Sequence, residues 1–412
     1  MKYNVTVVGA GPAGSTAAKI LSENGLKVVL IEKDKLPRDK PCGGGLPRRV
    51  LERFNYVDNE RFIESYSYSG VAFSPSMKDK IKAEKKIPII ATALRKKFDF
   101  ELVNLAKENG TIVKDGKTVT DLKIFKDKAR ILTKDGDYID SEIVVGADGV
   151  WSTVAKKSGL RKSKYETGAC VLQEVEVNEK ILDEYFGKRR KCYIHSRFKG
   201  IMGYGWIFPK KEHLNIGIGG VWATHGEKIN LLKSYKDYID FLKQNNLIPK
   251  NLKKSPIKGG RLPINPLEKT YGERILLVGD AAGFINPSTG EGIYYAMSSG
   301  EIAAKMIIKA LQKGDVSSAF LSNYEKLWKK DFGKDIEVIN NLLSKESSQD
   351  FEELFRTIGS DKLLSELFLG VLTGELSANK YKGKIIRRYL ACSIKNKLKK
   401  NKKKKVLATL DE

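Results

Sequence analysis

Three features of the sequence predict an α/β fold carrying a second, antiparallel sheet and a helical end. A β-branched apolar run, Asn4 to Val8, leads straight into glycines at positions 9, 11 and 14. From about residue 165 to 262 apolar and polar residues alternate with period two, and from about 316 the chain turns helix-prone and charged. Together they describe a Rossmann-like βαβ unit, an antiparallel-sheet unit and a helical C-terminal region.

The first unit begins with the buried strand Asn4 to Val8. A glycine turn follows, then a helix over Ala13 to Glu23 and a second strand, Lys27 to Ile31, ending at Glu32. Residues 37 to 47, PRDKPCGGGLP, hold three prolines and three consecutive glycines and read as an ordered loop. Leu94 to Asn109 reads as a helix, and strands turning at Asp115-Gly116 and Asp135-Gly136 lead to Ile143-Val144-Val145. In the sheet unit Tyr204, Trp206 and Phe208 share one side of a strand, and Leu214, Ile216 and Ile218 one side of the next. Pro209 to His213 joins the two as a hairpin. A strand over Arg274 to Val278, a glycine-rich loop from Gly279 to Gly292 and a helix from Ile293 to Leu311 repeat the opening pattern.

Composition sets outer limits. With 41% hydrophobic and 9% aromatic residues in 412, the chain has apolar mass for two or three packed units. No apolar run approaches the ~18 to 20 residues that span a bilayer. The start, Met1 to Val8, runs into a glycine turn and not a cleavage site, so a cytoplasmic protein is expected. Cys42, Cys170, Cys192 and Cys392 form no CxxC pair, so neither a zinc site nor a disulfide framework is expected. Lys plus Arg outnumber Asp plus Glu by 75 to 50, a net charge of +25 that points to a phosphate-bearing partner: nucleic acid, anionic membrane or phosphorylated substrate.

The chemistry is carried by the two glycine loops. Gly9, Gly11 and Gly14 let the chain turn tightly and approach a pyrophosphate at the helix N-terminus, with Ala13 inside the loop. Glu32 stands where an acid accepts hydrogen bonds from an adenosine ribose. Far downstream, Asp280 in Val278-Gly279-Asp280-Ala281-Ala282 can bind a ribitol hydroxyl. The helix opening at Gly290, Gly292 and Ile293 can aim amides at the pyrimidine side of a flavin. Two distant segments converging on one extended cofactor indicate FAD; the plainer reading of GDAAG is a strand-ending turn.

GAGPAG at 9 to 14, GADG at 146 to 149 and GDAAGFINPSTGEG at 279 to 292 resemble the flavoprotein group of aromatic hydroxylases and geranylgeranyl reductases, over about the first 310 residues. Arg95 is similar to the group's flavin-contacting arginine, the alternative being a solvated helix-face charge; Asp148 in GADG is read as support for the flavin loop. Two features favour the reductases. Gly283 follows GDAA where hydroxylases usually carry histidine, and Lys40-Pro41-Cys42-Gly43-Gly44-Gly45-Leu46 is similar to the KPCGGG loop of geranylgeranyl reductases. The resemblance implies that Gly43, Gly44 and Gly45 pass beside the isoalloxazine and that Cys42 faces the reacting carbon. The alternative for Cys42 is a small buried filler. Tyr204-Gly205-Trp206-Ile207-Phe208-Pro209 resembles the reductases' PxxYxWxFP, with Ile201 in place of the leading proline. Tyr204, Trp206 and Phe208 would form an apolar wall for a polyprenyl chain, or else three aromatics of a sheet core.

An FAD-dependent reductase of isolated alkenes is therefore expected, acting on geranylgeranyl chains of membrane-lipid precursors. Hydride transfer to an unpolarised alkene needs a proton donor: Cys42 first, Tyr204 second, a water near Glu291 third. His195, His213 and His225 have no motif context and read as surface or core residues. No second GxGxxG exists, so the electron donor is NAD(P)H bound without its own domain, or a reduced ferredoxin. An FAD-dependent aromatic monooxygenase is the alternative enzyme, and an RNA-binding flavoprotein the alternative of another class. Against the latter, only Tyr381 and Tyr389 interleave the basic cluster, and no nucleic acid is expected. Residues 1–60, 86–164 and 263–315 are assigned to the FAD-binding domain, 61–85 and 165–262 to a substrate-binding sheet domain, and 316–412 to the helical region. Thirteen of the basic residues lie between Lys380 and Lys405 with no acid among them. Ile386, Leu390, Ile394 and Leu398 recur there every four residues, with Ile385 and Tyr389 alongside. A helix so built would lie in an anionic membrane interface, making the protein cytoplasmic but peripherally membrane-associated. The alternative is that this apolar stripe packs on the protein body and that Lys399 to Lys405 is a solubilising tail.

Overall fold

The computed structural model describes residues 2–162, 165–220, 223–224, 227–228, 230–343 and 348–408. Its first sheet is parallel at the centre. Strand Lys2–Val8 pairs with Val28–Glu32 on one side and Tyr138–Gly146 on the other; Ile112–Asp115 and Ile275–Leu277 extend the sheet in parallel at the two flanks. All five residues of Val28–Glu32 are buried, as strands inside a parallel sheet must be. The helix Pro12–Glu23 packs on Arg95–Glu108 and crosses Ile293–Lys313 closely: a Cβ on Gly300 would stand 2.3 Å from the Ala13 carbonyl oxygen.

The second sheet has seven strands in the order Lys258–Pro263, Thr167–Glu176, His213–Gly220, Gly203–Pro209, Lys191–Ser196, Ser69–Phe73, Lys80–Glu84. The hairpin read at Pro209 to His213 is present, with Tyr204 opposite Gly219, Trp206 opposite Gly217 and Phe208 opposite Asn215. Period two then separates the faces. Ile207, Leu214, Ile216 and Ile218 are fully buried with Tyr235 and Tyr238 of the helix Leu231–Gln244, while the three aromatics lie over small residues on the opposite face. A Cβ on Gly217 would stand 2.1 Å from the Trp206 ring, so glycine there is what seats the indole.

The loop reading of residues 37 to 47 needs one correction. Gly45–Pro47 is a strand paired with Ile90–Thr92, which pairs also with Ser65–Ser67. Leu46, fully buried, is the apolar anchor that draws this end of the glycine run into a sheet.

Beyond residue 316 the described residues are mostly helical. Trp328 and Phe332 pack on Phe284, and the Trp328 indole donates to Thr270 (3.0 Å). Helices Ser348–Gly359 and Lys362–Leu372 cover Ala72 and Ile81 of the second sheet. The last helix, Ala378–Ala408, turns Ile385, Tyr389 and Cys392 towards that cluster, and Arg388 bonds Asp361 alongside at 2.8 and 2.7 Å. Ile386, Leu390, Ile394 and Leu398 are consequently left 47, 54, 60 and 60% exposed. The apolar residues read as one stripe are thus split: Ile385 and Tyr389 pack inwards, the other four face outwards. Among the described residues no helix is long and apolar enough to cross a membrane.

Candidate functional site

The first glycine loop is shaped by contacts that only glycine permits. Gly9 has φ +104°, and a Cβ there would lie 2.3 Å from the Ala147 carbonyl oxygen; one on Gly14 would lie 2.0 Å from the Gly9 carbonyl oxygen. Gly11 is different, because its nearest neighbour would be the Arg38 guanidinium at 3.8 Å. The helix Pro12–Glu23 begins at Gly11 with no side-chain cap, so its first amides face that open space. Ala13 lies against Gly279, joining this loop to the second one. Glu32 is 4% exposed and accepts from the amides of Ala10 (2.9 Å) and Asp34 (3.2 Å). The acid expected at a ribose therefore also clamps the loop, with lone pairs to spare. Arg38 reaches Glu32 (3.4 Å) and Asp99 (2.9 Å).

The second loop follows the strand Ile275–Leu277 through a single turn, Gly279–Ala282. Asp280 takes no hydrogen bond through its carboxylate from any described residue, and its Oδ1 lies 3.5 Å from where a Gly292 Cβ would stand. Gly283 has φ +82°, and a Cβ would meet the Asn265 carbonyl oxygen at 2.2 Å, so this backbone excludes a histidine side chain. Asn286 accepts from the amides of Ser288 (2.9 Å) and Thr289 (3.3 Å), folding the loop back so that Gly290 sits beside Tyr204. Gly292 is the N-cap of Ile293–Lys313, and Ile293 itself is buried. An uncapped helix start at Gly11, a second helix start at Gly292 where Glu291 accepts from the Tyr294 amide (2.7 Å), glycine surfaces and the Asp280 carboxylate at the ends of parallel strands form a cradle that fits the pyrophosphate, ribitol and ring of FAD.

The cysteine loop meets the aromatic wall. Positions 43 and 45 lie against Phe208, at 3.0 and 3.3 Å from their notional Cβ atoms, and Gly43 lies 3.3 Å from the Trp206 indole nitrogen in the same sense. Gly44 (φ +71°) runs against Ala93 and the Lys210 ammonium. The Cys42 thiol accepts from the Gly44 amide (3.4 Å) and stands beside the Arg95 guanidinium. Arg95 is no solvated helix charge. Two bonds of 2.7 and 2.8 Å tie it to buried Asp99, because the loop ahead of the helix covers its first turn. Burial alone would raise the Asp99 carboxyl; Arg95 and Arg38 outweigh it and hold the group below the usual carboxylate range. The ring centroids of Tyr204 and Trp206 are 5.7 Å apart and those of Trp206 and Phe208 6.4 Å, so the wall is continuous. The Tyr204 hydroxyl donates to the Thr289 carbonyl, and burial pushes its phenol well up.

Beneath this assembly lies a buried polar knot that sequence reading missed. Asn215 accepts from the Trp206 indole (2.7 Å) and donates to the Cys42 carbonyl (3.1 Å) and to Glu174 (2.9 Å). Lys210, 1% exposed, donates to the same Glu174 oxygen (2.5 Å). Lys210 sits in the hairpin connection, where a lysine reads as solvated; in the fold the cysteine loop lies over its ammonium at Gly44. Asn215, in an otherwise apolar alternation, was the available signal. Arg38 and Arg49 were missed too, the latter paired with Glu291 (2.9 Å) and lying over the Tyr294 ring (3.9 Å). Asp148 stands apart from the reacting face. It accepts from Ser152 (2.5 Å) and the Thr153 amide (2.6 Å) at the start of a short helix, and burial raises its carboxyl. His195 is a core residue, stacked on Phe73 (5.0 Å) and bonded to Tyr238 (2.7 Å); His213 is half-buried at the start of its strand, and His225 lies outside the described residues. All four cysteines are free thiols.

Comparison with known proteins agrees with this geometry. Residues 2–330 match the FAD binding domain family. The chain is 33% identical over 387 residues to the digeranylgeranylglycerophospholipid reductase of Methanocaldococcus jannaschii, covering 87% of this chain and 90% of that one. It is 33% identical over 342 residues to the protein of the same name from Methanococcus vannielii, covering 79% and 82%. Among solved structures, a geranylgeranyl bacteriochlorophyll reductase-like protein of Thermoplasma acidophilum superposes with a TM-score of 0.77 over 93% of this chain and 99% of that one, at 24% identity. A shared FAD domain, two reductases matched along most of their length and a superposable fold place the chain in one family: it is an FAD-dependent oxidoreductase of the geranylgeranyl reductase family.

Proposed function

We propose that the protein saturates isolated double bonds in the geranylgeranyl chains of membrane-lipid precursors, with electrons from NAD(P)H or a reduced ferredoxin. The observation that carries this reading is the Cys42 thiol, set beside Arg95 on a glycine loop that lies flat against Trp206 and Phe208. A polyprenyl chain has no polar handle, so an aromatic wall is the surface that can hold it. Reduced FAD would supply the hydride for one alkene carbon. Cys42 gives its proton to the other carbon, and Arg95 steadies the thiolate left behind. Asn215 keeps loop and wall in register by bonding the Cys42 carbonyl and the Trp206 indole at once. Gly283, where histidine cannot fit, argues against the aromatic-monooxygenase alternative.

The FAD domain is proposed to comprise 1–60, 86–164 and 263–315, and the substrate domain 61–85 and 165–262. The exposed residues of Ala378–Ala408 attach the protein peripherally to anionic membrane on the cytoplasmic side, where its substrate resides. The test is anaerobic incubation of dithionite-reduced protein with a geranylgeranyl lipid and measurement of product mass. A gain of two hydrogens per reduced bond supports the proposal; an unchanged lipid mass with fully reduced flavin refutes it.

A further inference from the structure

A cavity of about 400 Å³ opens beside the cysteine loop, between that loop, the start of the helix Arg95–Glu108 and the segment from Lys253 to Lys258. Cys42 and Arg95 stand in its wall, so it adjoins the site described above. Five lysines line it: Lys40, Lys96, Lys253, Lys254 and Lys258. Its three carboxylates are all engaged. Asp39 pairs with Lys258, Glu176 with Lys253 (3.5 Å), and Glu174 with Lys210 (2.5 Å). Lys40, Lys96 and Lys254 are left with no carboxylate partner among the described residues. Three uncompensated ammonium groups around one opening repel one another, and a bound polyanion relieves that repulsion while the cavity walls sharpen the field.

We infer that this cavity is a binding site for a phosphate group. Two sources share that chemistry: the phosphate of a lipid head group, which would lie next to Cys42 while its chain runs on to the aromatic wall, and the phosphates of a nicotinamide dinucleotide donor. The lipid assignment rests on the function proposed above; the phosphate site does not.

The experiment uses the FAD-loaded full-length chain and the variant K40Q/K96Q/K254Q, with K96Q/K254Q in reserve should the triple variant lose flavin. Equilibrium binding, without turnover, is measured in neutral detergent micelles for digeranylgeranylglycerophospholipid and for phosphate-free digeranylgeranylglycerol, and separately for NADPH. Each exposed lysine–phosphate contact is worth on the order of two- to fivefold in affinity, so three together give on the order of tenfold or more. The expected result is that the wild type prefers the phosphate-bearing lipid by that margin and the variant loses the preference. A loss confined to NADPH assigns the phosphate site to the donor. If the variant keeps the wild-type lipid preference and the wild-type NADPH affinity, the site is refuted. Because no step requires reduction of a double bond, an inactive enzyme with lysine-dependent phosphate binding would refute the proposed reaction and leave this site standing.

Discussion

Replacing Leu390 and Ile394 together by serine tests membrane attachment at residues the fold does not need. Both project from the last helix, 54 and 60% exposed, while Arg388 and Asp361 hold the opposite side to the protein. Burying a whole leucine or isoleucine is worth about 1.5–3 kcal/mol, so immersing the exposed half of each contributes about 0.75–1.5 kcal/mol, and all four of Ile386, Leu390, Ile394 and Leu398 about 3–6 kcal/mol. Exposed Lys380, Lys382, Lys384, Arg387, Lys395 and Lys397 add up to ~1 kcal/mol for each that reaches an anionic surface. Removing two of the four apolar contacts costs about 1.5–3 kcal/mol, a weakening of roughly 10- to 150-fold in vesicle partitioning. Co-sedimentation with vesicles containing phosphatidylglycerol, titrated in lipid, reads this directly. Thermal stability should not change, whereas Ile385→Ser, on the packed side, should lower it. Undiminished binding by the Leu390→Ser/Ile394→Ser protein would show that the exposed residues do not meet a membrane.

Three further outcomes are expected. Cys42→Ser should retain FAD yet slow single-turnover alkene reduction by about 10² to 10⁴, the range for losing a general acid; an unchanged rate would assign Cys42 to packing. Gly11→Val and Asp280→Ala should each weaken FAD retention on gel filtration. The valine fills the open space before the first helix, and the alanine removes a carboxylate that takes no hydrogen bond from any described residue; flavin retained at wild-type stoichiometry by both would overturn the cradle. Burial pushes the His195 imidazole down to about 4 from its ordinary 6.5. The unfolded chain therefore takes up a proton that the folded one refuses as pH falls from 6.5 towards 4. Stability attributable to this group is full above 6.5 and lost across that window, by about 3 kcal/mol at most. Urea denaturation of wild type and His195→Gln at pH 7.5 and 5 should show a smaller loss in the variant; equal losses would mean that His195 does not carry the effect.

Much of this site was legible before any coordinates. Gly9 and Gly14 announce a tight turn because no other residue tolerates the 2.3 Å and 2.0 Å approaches found there, and the period-two spacing of Tyr204, Trp206 and Phe208 dictates that their rings share a face. Steric necessity and strand periodicity are local, so sequence alone determines them. Charge burial is not local. Arg95 and Asp99 stand four residues apart on one helix, yet Arg95 reads nearly as well as a solvated charge, because only the fold places the pair under the cysteine loop; Lys210 meets Glu174 from 36 residues away. Asn215 gains its three partners from three separate segments. In the last helix, composition determined a basic segment with an apolar stripe, and the tertiary structure decided that Ile385 and Tyr389 pack inwards while Ile386, Leu390, Ile394 and Leu398 face out. That division follows the packing of Ile385, Tyr389 and Cys392 on Ala72, Ile81 and Phe355, with the Arg388–Asp361 pair beside them, contacts that helical periodicity does not encode.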